Sequence, residues 1–298
     1  MAVRLKTNLD IVNDCDRFPY YENDPSRYKS TLSSLYLFYH AEDEAVNPSG
    51  YMLDWVVKQM PWNEKWIVDH EKKTVRPRLK NPVTGAIYAQ SLTRLIEETV
   101  LLAKEKESFK VLKGWRNELY PVTGLSSEIS MERAASALFG INSYGVHLTA
   151  YTQGEDGMKI WVPRRQAHKS TYGDMLDNTV AGGIGFGETA IDSLVREAEE
   201  EASFPEDLIR KHAKLCGTVS YFMIRDERAG GEMGLLQPEC QFVYDLQLDP
   251  DVIPKPNDDE VEDFQLWSIE KVQTALAEDQ FKPNCALVRD DGFVCGPY

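Results

Sequence analysis

Gly182-Gly183-Ile184-Gly185-Phe186-Gly187-Glu188-Thr189-Ala190-Ile191-Asp192-Ser193-Leu194-Val195-Arg196-Glu197-Ala198-Glu199-Glu200-Glu201-Ala202-Ser203-Phe204 joins a glycine-rich turn to a glutamate-rich run with strong helical character. At about 100° per residue, Ile191, Leu194, Val195, Ala198 and Ala202 share one helix face and can pack inward. Spacings of three and four bring Glu197, Glu200 and Glu201 together on a neighbouring face. Three carboxylates so placed repel one another unless a cation sits among them. A hard divalent ion with oxygen ligands, Mg²⁺ or Mn²⁺, satisfies that need. Arg196 can pair with one carboxylate and hold it in position. An isolated Glu run is ordinarily a solvated helix face. The fixed spacing of Gly182, Glu188, Arg196 and the three glutamates favours the metal reading instead.

Outward from this run, the chain alternates strand and helix signals. Tyr144–Thr152 and Lys159–Pro163 read as a hairpin turning at Gly154-Glu155-Asp156-Gly157. Leu215–Ile224, Cys240–Leu248 and Phe264–Trp267 read as strands, and Ile269–Glu278 as a helix. Upstream, Leu92, Leu95, Ile96, Thr99, Val100 and Ala103 have helical spacing over Ser91–Lys104. Leu32–Tyr39 reads as a buried segment, Trp115–Val122 ends in a short strand stopped by proline, and Met131–Leu138 is expected to be helical. Trp55, Trp62, Trp66 and Trp115 are expected to serve core packing. The interleaving predicts an α+β or α/β layered fold.

The chain has 298 residues, enough for one large or two smaller cores, and a formal net charge of −15. So acidic a surface argues against nucleic acid or anionic membrane as partner, while a small phosphate-bearing ligand needs only a local positive pocket. No run of about 18 apolar residues predicts a membrane span, and the opening residues do not read as a signal peptide. Five scattered cysteines with no CxxC pair predict reduced thiols and an intracellular, cytoplasmic protein. A homodimer is neither required nor excluded.

The segment Gly182–Phe204 resembles the Nudix box, G-x5-E-x7-R-E-U-x-E-E-x-G-U with U a bulky aliphatic residue. It matches at Gly182, Glu188, Arg196, Glu197, Glu200 and Glu201, with Ala198 and Phe204 as mild departures at the U positions. Ser203 replaces a glycine that ends the helix in a left-handed conformation, which serine adopts less easily. The resemblance implies a Nudix fold, a mixed sheet sandwiched between helices, over residues 124–298, behind a smaller α+β domain at 1–123. It also implies Mg²⁺-dependent cleavage of a phosphoanhydride, with Glu197, Glu200 and Glu201 holding metal and Gly182, Gly183 and Glu188 shaping the box. Proton removal from water falls to Glu197 or to a glutamate expected on a later loop: Glu232, Glu239 or Glu260.

Wider similarity covers Arg164–Tyr172, Met175–Gly183, Pro238–Leu246, Phe281–Val288 and Gly114–Val122. These segments resemble a Nudix subfamily found beside or fused to thiamine pyrophosphokinase, with an N-terminal domain of its own. That implies hydrolysis of thiamine diphosphate, or of damaged and antivitamin forms such as oxythiamine diphosphate, to the monophosphate and phosphate. Arg164, Arg165 and Lys169 form a basic cluster that can clamp a diphosphate, the competing reading being a solvated basic loop. Trp161, Tyr172, Phe222 or the N-terminal tryptophans could wall the organic rings. The first 123 residues are expected to cover part of the pocket. After Val288 the polar, glycine-rich Arg289–Tyr298 departs from the subfamily's hydrophobic helix. Alternatives are a pyrophosphatase for nucleoside-diphosphate-linked compounds such as ADP-ribose or NADH, a non-catalytic Nudix-like binding module, and a prenyl diphosphate isomerase.

Overall fold

The computed structural model describes residues 4–42, 46–79, 85–169 and 171–291. The first part of the chain runs α1 (Asn8–Cys15), α2 (Pro25–Ser34), β1 (Tyr36–Phe38), β2 (Gly50–Met52), α3 (Asp54–Gln59), β3 (Trp66–Asp69), β4 (Thr74–Pro77), α4 (Gly85–Glu105), β5 (Leu119–Pro121), β6 (Ser130–Glu132) and α5 (Ser136–Phe139). The second runs β7 (Ser143–Gly154), β8 (Gly157–Arg165), β9 (Val180–Gly183), α6 (Ala190–Ala202), α7 (Glu206–His212), β10 (Lys214–Ile224), β11 (Leu236–Gln247), β12 (Val261–Ser268), α8 (Ile269–Ala277) and α9 (Pro283–Asp291).

In the first unit, a sheet ordered β2-β1-β4-β3 packs with α4 around Phe38, Met52, Leu92, Ile96, Leu112 and Phe139. The apolar stripe read over Ser91–Lys104 is the buried face of α4, which begins six residues earlier, at Gly85. Trp66 is buried, its indole N–H donating to Thr99 at 2.9 Å, and Trp62 and Trp115 pack against the same core, but Trp55 is 37% exposed. Two expectations need correction. Leu32–Tyr39 is not one buried segment, because α2 ends at Ser34 and β1 begins at Tyr36. Met131–Leu138 is not a helix throughout: Ser130–Glu132 pairs with Leu119–Pro121, a 3-10 turn follows, and only Ser136–Phe139 is α-helical. Pairing with β5 satisfies the backbone there before a helix can start. By packing, the segment 124–141 belongs with this first unit, since Ile129, Met131, Leu138 and Ile141 all enter its core.

The second unit is built on a mixed sheet ordered β10-β11-β7-β8-β12. The long β7 pairs parallel to β11 and antiparallel to β8 near its end, while β9 pairs antiparallel with Gly145–Leu148. Alternation along β8 sorts its side chains: Trp161 faces the layer containing α6 and α7, and Ile160 and Val162 face α8 and α9. Helices thus cover both faces, as the sequence predicts. Helix α1 belongs by packing to this second unit, where it lies against α9 and places Ile11 and Cys15 in its clusters. Helix α9 continues through Asp291, and the remainder of the glycine-rich tail lies outside the described residues. Among the described residues, no helix is long and apolar enough to cross a membrane.

Candidate active site

Helix α6 starts where Thr189 accepts the Asp192 N–H on its side-chain oxygen, a local cap with an acid in the first turn. It ends at Ser203, which adopts the left-handed conformation (φ 57°, ψ 29°) and donates its hydroxyl to the Lys255 carbonyl at 2.9 Å. The serine therefore closes the helix as a glycine would, with a tether to a neighbouring loop in addition. Leu194, Val195, Ala198 and Ala202 are buried against the sheet. That anchoring fixes the rotation of the helix and turns its carboxylates toward β9.

Arg196 organises the acidic face. Its guanidinium donates to Glu188 (3.0 and 3.1 Å), Glu197 (2.8 Å), Glu200 (3.3 Å) and the Gly183 carbonyl (3.2 Å). Glu188 also accepts from the Gly185 N–H and the Ser193 hydroxyl. Burial opposes its charge, yet Arg196 and Ser193 together hold the carboxyl below its usual pKa. Glu188 thus ties the glycine-rich turn to the helix. Beside it, the backbone of Gly182 leaves room for Glu197: a Cβ there would stand 1.9 Å from the Glu197 carboxyl carbon. Gly183 likewise admits the Tyr120 hydroxyl, 1.8 Å from where a Cβ would be.

Glu201 is 6% exposed and accepts the Ala181 N–H at 3.0 Å. Burial raises its pKa well above normal, and the charges of Glu197, Asp177 and Glu260 raise it further. Glu197 is raised too, by burial first, with Arg196 and Arg133 in partial opposition. Two acids one helical turn apart, each made harder to ionise by burial, form a seat that a cation would stabilise.

The NUDIX domain model matches residues 144–286, and a model described as Domain of unknown function (DUF4743) matches 87–143. An uncharacterised protein of Saccharomyces cerevisiae is 31% identical over 95% of this chain and 83% of its own length. The chloroplastic Nudix hydrolase 20 of Arabidopsis thaliana is 36% identical over 66% of this chain and 50% of its own. A solved structure from Deinococcus radiodurans is 21% identical over 49% of this chain and 81% of that one, with a TM-score of 0.37. Residues 144–286 are thus a NUDIX domain, similar to that of plant Nudix hydrolases. The chain spans about half the length of that plant relative.

Nudix hydrolases act on phosphorus-containing anhydrides and generally use divalent metals. The donor set here fits that requirement in part. Among the described residues, no group of three or more His, Cys, Asp or Glu side chains is gathered closely enough to cage a metal ion. Glu201 supplies a buried carboxylate and Glu197 a part-buried one, whereas Glu200 lies outward with its side chain 52% exposed. Mg²⁺ is commonly held by one or two carboxylates, with water and substrate phosphate oxygens completing its shell, so these two glutamates suffice for such a seat.

The expected phosphate clamp is dispersed in the Nudix unit. Arg165 is buried in an ion pair with Asp177 (2.7 Å) and donates to the Thr171 and Tyr172 carbonyls. Arg164 turns outward to Asp174, and Lys169 pairs with Glu260, which also accepts from Arg116 at 3.2 Å. The proposed later-loop glutamates separate as well. Glu232 accepts the backbone N–H groups of Lys110 and Val111, and Glu260 lies in the loop before β12. Glu239 is not on a loop but within β11, where Tyr221, Gln237 and Gln241 donate to it. Of the expected ring walls, Trp161 packs in the core, Phe222 stacks on Phe18 at 4.1 Å, and Tyr172 lines a cavity.

That cavity, about 570 Å³, is of a size suited to a small ligand. Among the described residues, its walls carry Lys110, Lys113, Arg116, Arg133, Arg225 and Lys282, with Glu239 as the single carboxylate. The box glutamates do not line it. They adjoin it through Tyr120, whose hydroxyl rests on Gly183, and Arg133, whose charge acts on Glu197. Sequence reasoning missed most of these residues because they come from distant segments. The one local signal was Lys110-Val111-Leu112-Lys113-Gly114-Trp115-Arg116, three cations at intervals of three in an acidic chain.

Proposed function

We propose that this protein is a Mg²⁺- or Mn²⁺-dependent hydrolase of thiamine diphosphate or of its damaged and antivitamin analogues, oxythiamine diphosphate among them. The products would be the monophosphate and inorganic phosphate. The observation that carries the hydrolytic reading is the pair of buried Glu201 and part-buried Glu197, held against β9 next to a cation-lined cavity. The choice of thiamine compounds rests on the sequence resemblance, and the cavity's charge supports a small diphosphate as ligand.

Glu197 and Glu201 would hold the metal, with Glu200 joining them once released from Arg196. A metal bound there would polarise the phosphoryl oxygens and acidify the attacking water. Arg196 fixes the direction of the Glu197 carboxyl. Proton removal falls to Glu197 or to Glu239, the later glutamate that lines the cavity. Glu232 is engaged by backbone amides. Glu260 is a poorer proton acceptor, because Lys169 and Arg116 hold its carboxyl below the usual range against the effect of burial.

The test is incubation of the purified chain with thiamine diphosphate, oxythiamine diphosphate, ADP-ribose and NADH, with and without Mg²⁺. A Glu200→Gln, Glu201→Gln variant serves as the control. Metal-dependent phosphate release from the thiamine compounds, absent in the variant, is the expected result. Cleavage of ADP-ribose or NADH alone would remove the thiamine assignment and leave the hydrolase. No cleavage of any compound would favour a binding module.

A further inference from the structure

We propose that the N-terminal unit is a working half of the ligand site. Lys110, Lys113, Arg116 and Arg133, with Arg225 and Lys282 of the Nudix unit, would seat the phosphate groups of the ligand. Naming that ligand as the substrate rests on the hydrolase reading above; the seat itself does not.

The charge imbalance is the first argument. The whole chain carries a net charge of −15, yet among the described residues this cavity has six cationic side chains against one carboxylate. Only part of that charge is neutralised locally. Arg133 pairs with Glu118 at 2.6 Å, and Arg116 with Glu260 at 3.2 Å. Among the described residues, Lys110, Lys113 and Lys282 form no ion pair within 4 Å, and Arg225 spends one nitrogen on the Ala229 and Gly230 carbonyls while its buried Nε has no partner. Like charges converging on one concave surface raise its energy unless an anion enters. A diphosphate brings several negative charges and many acceptor oxygens to such a site.

The second argument is that the wall is built, not incidental. Lys110 and Lys113 ride on a 3-10 turn, Lys110–Gly114, whose first amides are fastened by the Glu232 carboxylate from the opposite unit. Gly231 allows that approach: a Cβ there would stand 3.0 Å from the Val111 Cβ, at a backbone φ of +67°. Two devices thus hold the lysine-bearing turn against the Nudix unit. The segment lies within the match to a domain of unknown function, and phosphate seating gives that segment a task.

The experiment is equilibrium binding of inorganic pyrophosphate to the full, metal-free chain, read by calorimetry at low and moderate salt. Lys113→Glu and Lys282→Ala are expected to weaken binding tenfold or more. Arg164→Glu, on a half-buried residue that pairs with Asp174 outside the cavity lining, is expected to stay within about twofold, and thermal midpoints should show that all three variants fold. Unchanged binding in both cavity variants would overturn the proposal, as would equal loss in Arg164→Glu. If the wild-type chain cleaves no diphosphate but binds pyrophosphate in this pattern, the hydrolase reading falls and the seat stands.

Discussion

The carboxyl group of Glu197 lies against the bare α-carbon of Gly182, so close that a single methyl there would fall 1.9 Å from the carboxyl carbon. The glycine is thus a steric condition for the position of an acid fifteen residues later in the chain. Pairing of Gly182 with Val146 fixes the strand, and burial of Leu194 and Ala198 fixes the helix, so neither side can yield freely.

Gly182→Ala should therefore fold and displace the Glu197 carboxyl. Misplacing a catalytic group by about 1 Å can cost ~10²-fold in rate, and a loss of that order in kcat is expected with little change in Tm. Steady-state kinetics beside a thermal melt decide it. Activity within a few-fold of wild type would mean that Glu197 need not stay where it is.

Glu201→Gln should have opposite effects on stability and on metal response. In the metal-free protein it removes a buried like charge while keeping an oxygen for the Ala181 N–H, so Tm should hold or rise. Wild-type protein should gain stability with added Mg²⁺, about 2.7 kcal/mol at a hundredfold excess over Kd, and the variant should gain little. A variant that responds to Mg²⁺ as wild type does would remove Glu201 from the metal seat.

Arg165 and Arg164 should differ sharply despite adjacency. Arg165→Ala leaves Asp177 buried without its partner and should cost about 3–5 kcal/mol in urea unfolding. Arg164→Ala breaks an exposed pair with Asp174 and should cost at most about 1 kcal/mol. If Arg165→Ala leaves stability intact and raises KM alone, Arg165 is a phosphate ligand after all.

His147 should make the protein acid-sensitive. It is buried, accepts from the Asn178 amide at 2.8 Å, and is driven down to about 3 by burial first and then by the charges of Lys282 and Arg289. A folded pKa below the unfolded value means that the unfolded chain takes up the proton first. Stability therefore falls as pH drops from about 6.5 toward 3, by roughly 2 kcal/mol between pH 7 and pH 5 from this residue alone. His147→Gln should flatten that slope in denaturant titrations at the two pH values; an unchanged slope would place the acid sensitivity elsewhere.

Much of the local structure was legible because it depends on neighbours in sequence. Periodicity located α4, the β7–β8 hairpin and α6, and residue spacing placed Glu188 and Arg196 within reach of each other. Ser203 shows the limit of such reading. Its departure from glycine left the helix exit open, and the structure closes it through a left-handed serine held by the Lys255 carbonyl, a partner supplied by another loop.

The sequence by itself determined that residues 182–204 form a turn and helix with an acidic face, because helical spacing is a property of the local chain. Only the tertiary structure decided which acids are buried, since burial depends on β9 lying beneath α6. It also decided which cations meet. Arg164, Arg165 and Lys169 are close in sequence yet turn to separate carboxylates, Asp174, Asp177 and Glu260. Lys110, Arg133, Arg225 and Lys282 are far apart in sequence and line one cavity. Short-range order follows chain geometry, whereas an electrostatic site depends on distances through space, and those are set when the two units pack together.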